Sequence, residues 1–468
     1  MASASIFPEN TDPMEFRELI ASLEQSGDLL RIKAAVDPEY ELGALLQQAE
    51  ARGKACWFEE VRGSGFAAIG GLMTSPARHA LAVGRSVDDF FPVHKFAALL
   101  EASRQAPLAP QVVDHGPVSE VVLTGAEIDL TALPVPRFFS GDSHRFITAG
   151  LGVAMDPDSG IQNLGFYRQP VIGKNLFSLG ASNNSNLMRI YKEAKARGAK
   201  LPVAVVIGGP PALLIAAGSR MPPEVSDLGV AGALSGEPIS LVKCQSSELM
   251  VPAEAEFVIE AEVDFSAEVA HTMGEYGDQF GATTSPVAKV LAITHRRSAV
   301  FHIIMGGMNR EHNALGVFIF SELRNELLAH LQEKYPFVVD LNVDFTPRRG
   351  GLRAQLAVAI DKQSEDQPNL VIDEIFGFFL GPFPMRGVLQ RVVVVDQDVN
   401  IWNSDDIEWA ISSRMDKSAK MTVYDGQSPD GYAVGRFGID ATVSAEYKEA
   451  HERPVIPSRE KFSLDKYL

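Results

Sequence analysis

The stretch that most limits what this chain can fold into runs from Pro117 to about residue 295. Short apolar runs bounded by turn residues follow one another there: Val121–Thr124, Ile147–Met155, Ile161–Arg168, Val203–Ile207, Ile239–Lys243 and Glu256–Val263. Runs of that length with those boundaries read as strands. Only one good helical pattern interrupts them, Leu187 to Arg197, ended by Gly198. A mainly antiparallel barrel is expected over residues 116–296.

The flanks read differently. Glu15–Gln25 places Phe16, Leu19, Ile20 and Leu23 at helical spacing and stops at Gly27, and Leu42–Ala51 does the same with Leu42, Leu45, Leu46 and Ala49 before Gly53. Strand-like runs at Ala55–Phe58 and Phe66–Ile69 complete a small α/β domain over residues 1–115, closed by the proline-rich segment Pro107–Pro117. After Ala299 the pattern alternates: strand Val300–Ile304, helix Phe320–Lys334, strands Phe337–Val343, Ala354–Ile360 and Val392–Asp396, helix Ile407–Arg414. That predicts a C-terminal α/β domain over residues 297–440. Residues 441–468 form a polar, proline-containing tail that either docks on a neighbour or stays disordered. At 468 residues the chain exceeds what one core supports, so the expected class is α+β multidomain.

Composition removes whole classes of function. A formal charge of −18 opposes non-specific binding to nucleic acid or anionic membrane, so neither is expected as a partner. Any anionic ligand must be held by a local cluster of cations and amides. Cys56 and Cys244 are the only cysteines, too few for a disulfide framework or a zinc cluster, which fits a reducing compartment. The first ten residues lack a basic start and apolar run. The longest apolar stretch, Leu201 to Ala217, is broken by Gly208-Gly-Pro-Pro211, where a membrane helix needs about 20 such residues. A soluble cytoplasmic protein is expected.

The common catalytic signatures are missing: there is no Cys-x-x-Cys, no Gly-x-Ser-x-Gly and no P-loop lysine motif, and the ten histidines are scattered. What stands out is Asn163-Leu-Gly-Phe-Tyr-Arg168, reached through Phe146-Ile-Thr-Ala-Gly150 and the turn Asp156-Pro-Asp-Ser-Gly160. It puts a neutral oxygen ligand and a fixed cation five residues apart. Positions an odd number apart in a strand face opposite sides. Only a twist or bulge brings both to one ligand.

Three further segments accompany it in order. The first runs from Leu201-Pro-Val-Ala-Val-Val-Ile-Gly-Gly-Pro-Pro-Ala212 through Ala231-Gly-Ala-Leu-Ser-Gly-Glu-Pro238 and Leu241-Val-Lys-Cys244 to Val251-Pro-Ala253. The next is Met273-Gly-Glu-Tyr-Gly-Asp278. The last is Val392-Val-Val-Val-Asp-Gln-Asp398 with Trp409-Ala410, Arg414-Met-Asp416 and Gly438-Ile-Asp-Ala-Thr442. Together with Asn163…Arg168, this set resembles the UbiD family, decarboxylases that use a prenylated flavin mononucleotide. The resemblance implies a central split β-barrel like that of flavin reductases and a C-terminal α/β domain through which subunits form a homodimer or homohexamer. It also implies a flavin prenyltransferase as cofactor supplier.

Carried over residue by residue, the resemblance implies a divalent metal (Mn or Mg) and a K⁺ ion bridging the flavin phosphate to Asn163, Asn186 and Asp227. Relatives have His at the second of these positions and Glu at the third. Two amides and one carboxylate suit hard cations. On residue type alone, Asn186 also reads as the cap of the helix starting at Leu187. Ala217, Gly218, Ser219 and Arg220 fall where relatives rest the phosphate, and Gly165 and Phe166 where backbone approaches the isoalloxazine. Arg386, with Phe376-Gly-Phe-Phe379, belongs to the segment that closes over the flavin. The family's acid–Arg–acid network maps onto Met273, Arg168 and Asp278, so its first acid is replaced by a thioether, with Glu275 as the nearest substitute. Gln279, Glu311, His312 and Leu315 fall on the substrate side.

The implied reaction is reversible, non-oxidative decarboxylation of an aromatic, heteroaromatic or α,β-unsaturated acid, or an aryl thioester, with Asp278 delivering the proton. Two alternatives stay open. One is an altered subunit or binding protein of the same fold, motivated by Met273, Asn186 and Asp227. The other is a flavin reductase-like oxidoreductase, against which Arg168 with Asp278 speaks, because hydride transfer needs neither.

Overall fold

The computed structural model describes residues 13–91, 93–181, 185–219, 221–275, 279–307, 309–316, 318–344, 354–380, 389–416, 420–424, 435–447 and 453. It divides into two compact units, Met1–Asn325 with Phe345–Leu352, and Glu326–Asp344 with Arg353–Leu468.

The first unit opens with a small mixed sheet. β1 (Leu29–Ile32) pairs in parallel with β2 (Ala55–Phe58), β2 antiparallel with β3 (Ala67–Gly70), and β3 in parallel with β16 (Val300–His302). The last pairing corrects the sequence reading, which put Val300–Ile304 in the C-terminal layer and began that layer at residue 297. An apolar three-residue strand cannot reveal from its own pattern which sheet will take it. Helices α1 (Phe16–Gln25), α2 (Glu41–Ala51), α3 (Pro76–Ala82) and α4 (Val93–Gln105) complete this region. Helix α1 buries Phe16, Leu19, Ile20 and Leu23. Its Arg17 reaches the fully buried Glu256, with Nε and Nη2 each 2.6 Å from a carboxylate oxygen.

The central body is a nine-stranded sheet whose neighbours are all antiparallel. Its path runs β6 (Arg145–Ile147), β9 (Gln169–Gly173), β10 (Leu176–Ser178), β15 (Gln279–His295), β14 (Phe257–Glu275), β11 (Pro202–Ile207), β7 (Leu151–Met155) and β8 (Gln162–Phe166), with β5 (Val121–Thr124) on β15. The end strands β6 and β8 are not paired to each other among the described residues, so the sheet is open. The expected strand Ile239–Lys243 leaves it: β12 (Ser240–Lys243) pairs with β13 (Met250–Pro252) and β4 (Gln111–Val112) in a separate three-stranded sheet.

The apolar stretch Leu201–Ala217 becomes β11, buried along nearly its whole length, and α6 (Pro211–Gly218), with the left-handed Gly208 between them. Helix α7 (Asp227–Ser235) follows, and α5 (Asn186–Ala196) is the helix the sequence predicted. Its cap is Ser185, whose hydroxyl accepts from Met188 N at 3.2 Å. Asn186 is therefore the first helical residue and its cap reading fails. Helix α8 (Arg310–Gly316) and the start of α9 (Phe318–Lys334) end the unit.

The second unit is a five-stranded sheet in the order β17 (Val338–Asp344), β18 (Ala354–Ile360), β19 (Leu389–Asp396), β21 (Arg436–Ala441) and β20 (Met421–Tyr424), with α10 (Gln367–Leu380) and α11 (Ser404–Arg414). Here the Asp396…Asp398…Trp409…Arg414 motif is a structural clamp. Arg414 is buried, reaches Asp396 at 2.9 Å and Asp398 at 2.7 Å, and lies 4.9 Å from the Trp409 ring. Arg453, from the expected tail, stacks on the same ring at 4.0 Å and pairs with Asp406 at 2.7 Å. Phe376 is buried against Tyr424 at 4.5 Å between ring centroids, and Phe378 lies 5.0 Å from His330. No helix among the described residues is long and apolar enough to cross a membrane.

Candidate active site

Strand β8 ends at Phe166, and Arg168 stands in the two-residue link to β9. That break re-aims Arg168 relative to Asn163, as the odd spacing requires. Gly180, at φ +60°, lies directly against the Arg168 carbonyl, where a Cβ would overlap the oxygen. Only glycine fits, so the arginine's backbone is fixed from behind.

Tyr167 turns inward between these two residues. Its ring is buried over Gly152, and its hydroxyl lies where a Cβ on Gly165 would come within 2.7 Å. The hydroxyl donates to Asn163 Oδ1 at 3.3 Å. Burial, the first cause, holds this phenol well above its ordinary pKa, and Ser185, Leu187 and Asp227 also act on it. Tyr167 thus links β8 to the starts of α5 and α7.

Asp227, the first residue of α7, is 1% exposed. Its Oδ2 accepts from Leu164 N at 2.9 Å and from Asn163 Nδ2 at 3.4 Å, while its Oδ1 is buried without a partner. Burial raises its pKa to about 7, against the Leu164 amide and the Arg104 charge, which lower it. Asn186 Nδ2 donates to Met221 O at 3.0 Å. An orphaned buried carboxylate oxygen beside the Asn163 amide is donor chemistry that suits a hard cation. These residues fit the implied metal.

Ala217 and Gly218 form the last turn of α6, and Ser219 is its C-cap, with its hydroxyl on Ile215 O at 2.9 Å. The end of a helix presents carbonyls and partial negative charge. Leu315 O on α8 would lie 3.2 Å from a Cβ at Gly218. The expected phosphate rest is thus bordered by oxygens as well as small residues. Arg220 and Arg386 lie outside the described residues.

Arg168 also borders a small, partly open pocket together with Phe138, Phe139, Phe146, Met273 and Gly274. Met273 is therefore on the same pocket as Arg168, and Arg168 Nη1 donates to Gly274 O at 3.4 Å. Met273, Gly274 and Glu275 continue strand β14. Strands β14 and β15 form one long ribbon, pairing Met273 with Gly281 and Glu275 with Gln279. The side chains of Glu275 and Gln279, and all of Asp278, lie outside the described residues.

Asp142 was missed from sequence. It is buried and holds the ribbon to the aromatic wall, accepting from Gly274 N at 2.8 Å and from Phe139 N at 3.0 Å. Phe139 lies flat where any side chain at Gly274 would go. The only clue in the sequence was the turn-like Ser140-Gly-Asp-Ser143.

On α8, the substrate-side expectations separate. His312 Nδ1 lies 3.2 Å from Gly307 O, and burial followed by the Arg168 charge lowers its pKa to about 3, so it is a neutral imidazole near the arginine. Leu315 is core. Glu311 spends both oxygens on backbone, accepting from Gly71 N at 2.6 Å, Leu72 N at 3.0 Å and Met73 N at 2.8 Å.

The chain is thus an α+β protein with an open antiparallel sheet, a buried carboxylate–amide group and an aromatic pocket bordered by an arginine. Residues 20–93, 111–309 and 321–441 match the N-terminal, Rift-related and C-terminal domains of 3-octaprenyl-4-hydroxybenzoate carboxy-lyase. Among solved structures, the chain is similar to the UbiD-class enzyme HmfF from Pelotomaculum thermopropionicum in complex with FMN, at 31% identity and TM-score 0.81, covering 97% of this chain and 100% of that one. An evolved dimeric form of HmfF in complex with prFMN matches at 31% identity and TM-score 0.79, with the same 97% and 100% coverage. The apo 3,4-dihydroxybenzoic acid decarboxylase from Enterobacter cloacae follows at 25% identity and TM-score 0.77, covering 96% and 100%. The chain belongs to the UbiD family and is a carboxy-lyase.

Proposed function

We propose that this protein carries out the reversible decarboxylation of an aromatic, heteroaromatic or α,β-unsaturated acid, bound with its carboxylate on Arg168 and its unsaturated body against Phe138, Phe139 and Phe146. The placement of Arg168 and Met273 on one aromatic-walled pocket carries this reading. A guanidinium holds a carboxylate through two parallel hydrogen bonds, which orients the carbon that must lose CO₂. Neutral His312 adds no competing charge beside it, and Met273 keeps the wall apolar where relatives place an acid. Asp278 supplies the proton after CO₂ leaves, with Glu275 as the alternative donor and Gln279 on the substrate side.

When bound, prenylated FMN supplies the electron sink that accepts the pair released by C–C cleavage. Asn163, Asn186 and Asp227 would hold Mn²⁺ or Mg²⁺, with K⁺ nearby, against its phosphate. Ala217, Gly218, Ser219 and Arg220 would border that phosphate, Gly165 and Phe166 its ring system, and Arg386 would close over it. We also assign the central sheet to the split-barrel type of flavin reductases and the assembly to a homodimer or homohexamer. A flavin prenyltransferase would supply the cofactor.

Protein produced alongside a flavin prenyltransferase should release the mass of prenylated FMN on denaturation and evolve CO₂ from a matching acid. Full activity with only unmodified flavin bound would overturn the proposal.

A further inference from the structure

Phe146 is a wall of the pocket that Arg168 borders, and it is buried. Two imidazoles meet its ring at steep angles. His144, just ahead of β6, has its ring centroid 6.4 Å away at 88°, and His271 of β14 lies 5.8 Å away at 65°. Such T-shaped pairs are a preferred ring geometry, because the positive edge of one ring meets the negative face of the other. A turn of the Phe146 ring disturbs both contacts at once.

Each imidazole is held in turn by a serine. His271 is buried, and its Nε2 lies 3.0 Å from Oγ of the fully buried Ser285 on the paired strand β15. His144 Nδ1 lies 2.8 Å from Ser143 Oγ. Ser143 is itself tied to β14: its Oγ accepts from Thr272 N at 2.9 Å, and its backbone N donates to Thr272 O at 2.9 Å. Both supports of Phe146 therefore rest on His271 and Thr272. Met273 follows, on the same face of β14 as His271, and borders the pocket directly. Three consecutive residues thus set two parts of the wall.

We propose that His271 is a positioning residue for substrate selection: together with His144 it fixes the Phe146 ring and so favours acids with a single ring over fused two-ring acids. This rests on the reading of the aromatic pocket as the seat of the acid. It adds to that reading a width limit, set by a side chain that meets the acid only through Phe146.

The test uses full-length protein loaded with FMN, with benzoate and naphthoate as one-ring and two-ring probes and dissociation constants from equilibrium dialysis. Wild type should bind benzoate more tightly than naphthoate. His271→Leu should lower that preference by about 3- to 10-fold, the scale of one aromatic contact, with FMN affinity unchanged. His271→Phe puts a ring back against Phe146 and should recover most of the preference, an effect that filling space alone does not give. His271→Asn keeps a partner for Ser285 but loses the ring, so it should behave like His271→Leu and is scored in its place if that variant does not fold. An unaltered or raised benzoate-to-naphthoate preference overturns the role of His271. Equal binding of the two acids by wild type overturns the width limit. Failure of wild type to bind either acid overturns the reading of the pocket itself, and the proposal with it.

Discussion

At the scale of single residues, Arg168 is confined from three sides: Gly180 behind its carbonyl, the Gly274 carbonyl at its guanidinium, and Gly306, whose Cβ would lie 3.6 Å from Nη1. A cation so held acts by position, and the proton must come from elsewhere. Asp278→Asn keeps shape and removes acidity, so turnover should fall by roughly 10² to 10⁴ with flavin occupancy intact, checked by steady-state assay and absorbance. Normal turnover would move the donor to Glu275. Met273→Glu puts a second carboxylate on the pocket, competing for Arg168 and raising one acid's pKa by like-charge repulsion. The pH–rate profile should change shape, and an unchanged profile would remove position 273 from the chemistry. Asp227→Ala should empty the metal site, because two amides alone hold a divalent ion poorly. Stoichiometric metal in that variant, by atomic absorption, would refute the assignment. Much of this was visible in the one-dimensional chain, since Asn163 and Arg168 stand out as a polar pair and Met273 as a misfit. Tyr167 and Asp142 were not, because their importance lies in what they touch far along the chain.

At the scale of elements, α8 carries His312 and is held in place by carboxylates that accept from backbone amides. Glu311 takes three backbone amides from Gly71–Met73, and Glu50 Oε2 accepts from Arg310 N at 2.7 Å. Glu311→Ala strands those buried donors and should cost about 3–5 kcal/mol in denaturant unfolding; a loss below about 1 kcal/mol would show that α8 is held by other contacts. Helices α6 and α7 escaped the sequence reading for a physical reason: both are buried almost all round, so neither shows the apolar stripe that identifies a surface helix. The ribbon of β14 and β15 escaped for the opposite reason. From Asp264 to Ala270 the residues of β14 alternate between exposed and partly buried, and no apolar run marks that part of the strand. The strands of the second unit were legible because Val392–Val395 is a continuous buried run.

At the scale of the whole molecule, two carboxyls are carried in burial. Glu50 is raised to about 8 and Asp227 to about 7, each mainly by desolvation. Their folded pKa values exceed the unfolded ones, so between about pH 5 and pH 8 the native state holds more protons than the unfolded chain. Stability of the ligand-free protein should therefore be greatest at the acidic end of that window and decline as pH rises through it. Glu50→Gln should flatten the decline, and parallel melting-temperature curves for the two proteins would contradict this. FMN at a hundredfold excess over its Kd should add about 2.7 kcal/mol of apparent stability; a missing thermal shift would mean the flavin site is not part of the native state. The contact between Gly180 and the Arg168 carbonyl also bears on how such an enzyme can change its substrate. The link carrying the arginine tolerates no drift, whereas Phe139, Phe146 and Met273 reach the same pocket from other parts of the chain. Mutational libraries aimed at new acids should find their gains on those three positions, with the arginine and its glycine returning unaltered from every round.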